Sequence, residues 1–387
     1  MAGYEGRHLS CDGRLFKKCH SFSLPSGIEP TRYAVAGIHR PQYTRTGLNK
    51  MMWKLYPASE FPNFQDQWQS LNKDRGNSPL LDVKFILPLM DKFSSGSEKI
   101  VLLGDPEKPE IMAVIAPTAK GVWASFQPSN APLGLWLSRK KALDIPAVKS
   151  LIKQLPGMAI ALGITQQDPL FMTRPDTEKS VASLDYITTA HIDFPEKFDD
   201  YWALRSKNLR HNMKRQRNFL TKNHIETRLE IYSRGEQMKQ AMMDYGKIES
   251  SGWKGQIESA VTQGDRQSQF YEQMLSAFSN SGESLVLRYY YNENLVATDL
   301  CLLRDKILYI LKTTYDETIK GTSPAHIMRF EYYQTALASK LLKRVEFYGP
   351  LKDWHKKWTN EARVIFHSNI YRNNFIALAH KITKLIG

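Results

Sequence analysis

Ile307-Leu-Tyr-Ile-Leu-Lys-Thr-Thr-Tyr315, then Asp316-Glu-Thr-Ile-Lys-Gly-Thr-Ser-Pro-Ala325, then His326-Ile-Met-Arg-Phe-Glu-Tyr-Tyr333 are the consecutive stretches that decide the fold. The first is rich in β-branched and aromatic residues and reads as a strand. The second collects small and turn-forming residues and reads as a loop. The third opens a helix expected over 325–342. A short loop between a strand and a helix places the helix's free N–H groups at the positive end of its dipole, which suits a phosphate or pyrophosphate. Lys320 adds charge. The loop is not a Walker loop, since the Gly-Lys-Ser/Thr order is missing. It is not a dinucleotide fingerprint, since it holds a single glycine. The competing reading is an ordinary capped helix, with Ser323 as N-cap and Pro324 at the first helical position.

Working outward, 284–291, 295–303 and 307–315 read as an antiparallel meander, with Asn292-Glu-Asn294 as its first turn. Before it come a strand at 186–192, a long helix at 195–222, a strand at 228–231 and helices at 237–248 and 267–279. After it come a strand at 344–348 and a C-terminal strand and helix. The first half reads similarly: strand 53–56, helices 61–71 and 80–93, strands 99–103, 111–116 and 122–126, helix 146–155 and a buried strand at 158–163. Asp-Pro-Glu-Lys-Pro at 105–109 is a turn, and 173–179 a linker. The expected class is α/β (α+β), with two related halves at 48–185 and 186–387 after a polar arm at 1–47. No repeat of 20–50 residues is apparent.

The 387 residues suit two domains better than three unrelated ones. With 42% hydrophobic and 24% charged residues, the chain is neither low-complexity nor disordered. Three cysteines (Cys11, Cys19 and Cys301) argue for a reducing compartment rather than a disulfide framework. His8 and His20 lie near the first two, but the paired Cys-x-x-Cys spacing of a zinc site is missing, so no metal is expected. No apolar run approaches the ~20 residues of a membrane span, and the first residues lack the apolar core of a secretory signal. The expected location is the cytoplasm. A net charge of +14 favours polyanionic partners: nucleic acid, an acidic membrane surface or a phosphorylated cofactor.

Part of that charge is concentrated. The helix expected at 201–222 carries Arg205, Lys207, Arg210, Lys214, Arg215, Arg217 and Lys222, with His211, and no acid. It is an anion-facing surface or a solvated basic face. Glu249-Ser-Ser-Gly-Trp-Lys-Gly255 sets a tryptophan in a glycine-bracketed loop, as a packing plug or part of a binding site. Phe347-Tyr-Gly-Pro-Leu-Lys-Asp-Trp-His-Lys-Lys-Trp358 interleaves aromatics with lysines, which suits either a nucleotide or a sheet edge. Asp299, inside an apolar strand, is turned to solvent or held where its pKa rises and it acts as a base. There is no G-x-S-x-G elbow, H-E-x-x-H or Cys–His nucleophile signature.

The 249–255 loop, Phe270-Tyr-Glu-Gln-Met-Leu275, Lys312-Thr-Thr-Tyr-Asp316, Ser323-Pro324 and Trp358, in this order, resemble the CelD/BcsL-like acetyltransferases of the GNAT superfamily. The likeness covers about 186–360. The first half is similar in layout to a second, degenerate GNAT fold, as in the FemABX transferases. The resemblance implies acetyl-CoA or another acyl-CoA as donor and an amino sugar or other small amine as acceptor, in polysaccharide or cell-envelope synthesis. It implies that Lys312, Thr313 and Thr314 lie on the strand that pairs with pantetheine. Lys320, Gly321, Thr322, Ser323, Ala325 and His326 would hold the pyrophosphate. Ala325 departs from the family's usual Ser-Pro-Gly. Trp253, Lys254, Tyr348 and Trp358 would bind the acceptor, and Asp299, Tyr315 and Asp316 would carry the proton transfers, Asp299 as the first choice of base. Two alternatives follow from the same features: a FemABX-type transferase whose basic helix contacts tRNA, and a catalytically silent GNAT-like binding module.

Overall fold

The computed structural model describes residues 52–251 and 264–378. The expected polar arm with His8, Cys11, Cys19 and His20 lies outside them, as do Trp253 and Lys254.

In the first half β1 (Trp53–Pro57) leads to α1 (Gln65–Asp74) and α2 (Val83–Phe93). A meander of β2 (Lys99–Asp105), β3 (Lys108–Ala119) and β4 (Val122–Ser125) follows, with a short β5 (Trp136–Ser138) against β3. Then α3 (Ile145–Gln154) crosses to β6 (Ala161–Gln167), which lies parallel to β4. The second half runs β7 (Val181–Asp193), α4 (Phe198–Ala203), α5 (Lys207–Lys222), β8 (Thr227–Tyr232), α6 (Gly235–Ser251) and α7 (Arg266–Ser279). The meander β9 (Ser284–Tyr291), β10 (Asn294–Arg304) and β11 (Ile307–Tyr315) comes next. It is followed by α8 (Pro324–Ala338) and β12 (Arg344–Glu346), parallel to β11, and then by α9 (Asp353–Trp358) and β13 (Ala362–Tyr371).

The strands join in the order β1-β2-β3-β4-β6-β13-β7-β12-β11-β10-β9-β8. Read from either edge, this is one six-strand array twice. Its two copies meet where β13 pairs antiparallel with β7, from Ala362↔Ala190 to Ile370↔Val181. The first array is completed by β13, from the far end of the chain, and the second by β7. The expected boundary at 185/186 falls inside β7.

Strand alternation sorts the side chains into separate cores. Ile100, Leu102, Met112 and Val114 face one core, while Val101, Leu103, Ala113 and Ile115 face another under α3. Val286, Leu300 and Leu302 face the first core again, while Leu287, Cys301 and Ile310 face a third under α8. The first core is shared between the halves: α2 meets α7 through Phe85 and Phe93, whose rings lie edge-on to Phe270 at 5.3 and 5.8 Å. Arg304 on β10 reaches across to Asp82, the N-cap of α2, at 2.8 Å.

Several expected elements shift for local reasons. The helix expected at 195–222 breaks in two because Ser206 caps a new start, accepting from the Leu209 amide at 3.2 Å. The strand expected from 158 begins at Ala161, because Gly157 and Met158 take positive φ and turn the chain. The helix expected to reach 342 stops at Ala338, two residues before Lys340 at φ 56°. Phe61–Phe64 form 3-10 rather than α-helical turns. No helix among the described residues is long and apolar enough to cross a membrane.

Because β13 closes the first array, its buried side chains set the stability of the whole chain. Phe366→Ala is expected to cost about 3–5 kcal/mol, the usual cost of deleting a buried phenyl ring. A chain ending at Glu361 should lose its cooperative thermal transition by circular dichroism. A sharp transition at an unchanged Tm in the truncated chain contradicts this.

Candidate functional site

The second array holds a wedge. β11 and β12 run parallel for three residue pairs, Ile307↔Arg344 to Tyr309↔Glu346. The chain then stays with β7 (the Phe347 amide donates to the Ala190 carbonyl at 3.3 Å) while β11 continues alone on that edge to Tyr315. From Ile310 onward one edge of β11 therefore has no strand partner. The register with β10 also skips at Leu300/Cys301, which leaves Leu311 as an extra, bulged residue opposite them.

Beyond the open end of β11, the loop reaches α8. Gly321 sits at φ 89°, a left-handed conformation that glycine adopts without steric cost. Ser323 does not cap the helix as the sequence suggests. Instead Gln216 on α5 accepts from the Ser323 amide at 2.6 Å. Among the described residues the amides of Gly321, Thr322 and Ala325 have no partner. A cleft of about 250 Å3 opens here, lined by Arg215, Gln216 and Asn212 of α5, by Ser323 and His326 of α8, and by Lys357 of α9. A helix N-terminus between Arg215 and Lys357 is chemically fitted to a phosphate.

His326 is fixed in one form. Its Nδ1 accepts from Trp358 Nε1 at 2.7 Å, and the rings stack at 5.7 Å. Burial, reinforced by Arg329, Lys357 and His355, pushes its pKa down to about 3. It is therefore a neutral imidazole whose Nε2–H donates. Trp358, expected at the acceptor, is fully buried instead, and its carbonyl accepts from Tyr201 at 2.6 Å and from Arg205. Tyr348, also expected there, donates to Asp168 at 2.7 Å and stacks on Tyr309. Asp168 is further held by Arg363 at 2.6 Å, so Tyr348 belongs to the joint between the arrays.

Asp299, the first choice of base, is fully buried and bound on both oxygens by Arg329 at 2.8 Å. Arg329 also donates to Thr313 Oγ1 at 2.6 Å and lies over the Trp354 ring. A carboxylate so paired has both oxygens committed to Arg329, so its work is to fix α8 beneath β11. Thr314 is buried, and Thr322 Oγ1 accepts from Tyr291 at 3.1 Å. Lys320 donates to the Glu317 carbonyl, and Lys312 lies 6.0 Å from the Tyr271 ring centre. Tyr315 stands 45% exposed at the tip of β11, while Asp316 accepts from the Thr318 amide and hydroxyl at 2.9 and 2.7 Å.

Sequence reading missed Arg329, Tyr245 and Glu249 as site residues. Tyr245 is buried, donates toward Glu249 Oε1 at 3.2 Å and Thr313 O at 3.3 Å, and has its pKa pushed well above 10 by burial and by Glu249. Glu249 is itself buried, at the end of α6. Its presence in the 249–255 motif was the one available signal.

Residues 207–356 match the model of the acetyltransferase (GNAT) domain. The matched residues all fall in the second half of the chain, and the match supports an acyltransferase. No curated protein matches the sequence. Among solved structures, a conserved protein of unknown function from Bacteroides thetaiotaomicron VPI-5482 has a TM-score of 0.50 at 7% identity, over 83% of this chain and 99% of that one. FemX gives 0.47 at 10%, over 83% and 98%. A tandem GNAT protein from the clavulanic acid biosynthesis pathway gives 0.43 at 8%, over 83% and 99%. At 7% identity the first of these likenesses is one of fold alone.

Two predictions follow from the buried charges and histidines. Asp299→Asn should destabilise the chain by about 3–5 kcal/mol, because it leaves Arg329 buried without its counter-charge. Urea unfolding of the double variant Asp299→Leu/Arg329→Met, expected to be less destabilised than the single, measures the coupling. His326, His355 and His367 have folded pKa values of about 3, 4 and 4, below their ordinary 6.5. The unfolded chain binds more protons below 6.5, so unfolding free energy should fall as pH drops from 6.5 toward 4. His326→Gln should flatten that slope, and an unchanged slope would show that His326 titrates normally.

Proposed function

We propose that the chain is an acyl-CoA-dependent N-acyltransferase acting on an amino sugar or other small amine, in polysaccharide or cell-envelope synthesis. Two observations carry this reading: the unpaired edge of β11 and, one loop later in the chain, a cleft at the start of α8 bordered by Arg215 and Lys357. A pantetheine arm needs a strand edge for its amides and a cationic pocket for its phosphates, and here the 316–323 loop links the two. The CelD/BcsL-like motifs support the amine acceptor.

In this reading the amides of Gly321, Thr322 and Ala325, with Arg215 and Lys357, hold the phosphates, and His326 donates through Nε2–H. Ala325 is small enough to leave the approach open where the related sequences have glycine. The backbone of Lys312, Thr313 and Thr314 aligns the arm. The amine nitrogen attacks the thioester carbonyl, the C–S bond breaks, and the sulfur leaves with the electron pair. The amine proton passes to a carboxylate, and Tyr315 gives a proton to the departing thiolate. Positioning and one proton acceptor suffice, without a covalent enzyme intermediate. Glu249 suits the acceptor role better than Asp299 or Asp316. It is desolvated and tied through Tyr245 to Thr313, whereas Asp299 is bound by Arg329 and Asp316 caps its own turn.

The first test is calorimetry with acetyl-CoA. Saturable binding is expected, weakened by Arg215→Glu or Lys357→Glu, and no binding of any acyl-CoA to the pure protein would defeat the reading. With an accepted amine in hand, Glu249→Gln should lower kcat by roughly 10²–10⁴-fold at an unchanged acetyl-CoA Kd, and Asp316→Asn should do far less.

A further inference from the structure

The phosphate-fitted cleft does not use most of the positive charge around it. From Lys207 to Lys222 the α5 sequence has no acid, and Lys207, Arg210, Lys214, Arg215 and Lys222 are all exposed. Among the described residues none of these five forms an ion pair. Only Arg215 of the five lines the cleft. Lys207, Arg210 and Lys214 alternate with cleft-lining residues along the same turns without lining the cleft, and Lys222 ends a helix about 24 Å long. Two large apolar side chains flank this surface: Leu204, 76% exposed just before α5, and Phe219, 45% exposed in its last turn. The cleft itself, about 250 Å3, is below the ~300–1,000 Å3 of pockets that enclose a drug-sized ligand. That volume admits a phosphate group and part of an arm.

We infer that the acyl group arrives on the phosphopantetheine arm of an acidic carrier protein, which docks on the cationic face of α5. The inference rests on the acyl-transfer reading above and names its donor. A carrier's arm ends in one phosphodiester, which the cleft is large enough to admit. Acidic side chains of the carrier would meet Lys207, Arg210 and Lys214, which is the complementarity that steers association. Leu204 and Phe219 offer the apolar contacts of a protein interface. An RNA partner would draw on the same cations, but it also uses stacking platforms for its bases, and α5 offers two rings, His211 and Phe219, eight residues apart. The chemistry is the transfer already written, with the carrier's thiol as the leaving group.

The test compares three probes on the full chain by calorimetry: acetyl-CoA, an acetylated acyl carrier protein and bulk tRNA. The acetyl carrier should bind at least about tenfold more tightly than acetyl-CoA, with an affinity that falls as salt is raised. Arg210→Glu/Lys214→Glu, both outside the cleft lining, should weaken carrier binding about tenfold or more while moving acetyl-CoA little, as expected for rim charges. A circular dichroism melt confirms that the variant is folded, and the single Lys214→Gln serves if it is not. Carrier binding no tighter than acetyl-CoA, or an equal loss for both donors in the variant, overturns the inference and leaves the acyltransferase reading intact. Binding of tRNA without binding of the carrier also overturns it. Failure of acetyl-CoA to bind, whatever the carrier does, defeats the acyl-CoA-dependent reading itself.

Discussion

The pairing of β13 with β7 is the constraint on which the rest of the structure depends. Each of the two arrays needs a sixth strand beside its parallel crossover pair, and each would otherwise end in an exposed edge. The chain solves this once for both arrays by laying the two sixth strands against each other. Nine residues of β13 pair with β7, and the other edge of β13 pairs with β6. The last described strand of the chain is thus required by its first half. The halves are related by fold but inseparable in sequence, because a cut anywhere between them takes β13 from β6.

Duplication of the fold did not duplicate the site, and the difference lies at one helix terminus. In the first array the crossover helix α3 is capped by Asp144, whose carboxylate accepts from the Ala147 amide at 2.9 Å. That carboxylate already satisfies the terminal donor and would repel a phosphate. In the second array Ser323 leaves α8 uncapped by its own side chain, and Gln216 fills in from α5 without charge. The helix start then borders, through Ser323 and His326, a cleft that Arg215 and Lys357 also line. One array scaffolds and the other is equipped for an anion.

Most of the fold was legible because it is written in local periodicity. The meander at 284–315 and the helices on either side of it follow from strand alternation, turn residues and a proline at the first position of α8. The break of the long basic helix was legible only in Ser206, an N-cap signal outweighed by the periodic residues around it. The pairing of β13 with β6 could not be read, because partners about 200 residues apart leave no trace in local pattern. The site was half legible for the same reason. The loop at 316–326 announces itself, but an aspartate in an apolar strand looks like a base until the partner is seen. Arg329 lies 30 residues away on a different element, and only the fold brings it onto Asp299. Glu249 was passed over because a glutamate near the end of a helix is ordinarily solvent-exposed.

The buried Asp299–Arg329 pair raises the question of why so costly a group stands at this point. An ion pair in a core is seldom more stabilising than apolar residues of the same volume. Its value is geometric. Arg329 makes two bonds to Asp299 on β10 and one to Thr313 on β11, and it lies against Trp354 of α9. It therefore ties four elements at a place where β11 has lost its neighbour on one side. An apolar core would let β11 relax toward β12 and close the wedge, whereas a planar fork with fixed donors holds β11 at a set distance from α8. The same strand carries the Thr313 carbonyl that aligns Tyr245, and the same helix begins at the cleft. In the proposed acyltransferase, fixing the two against each other would keep the arm's strand edge and the phosphate cleft in register, a form of preorganisation that acyl transfer by positioning requires.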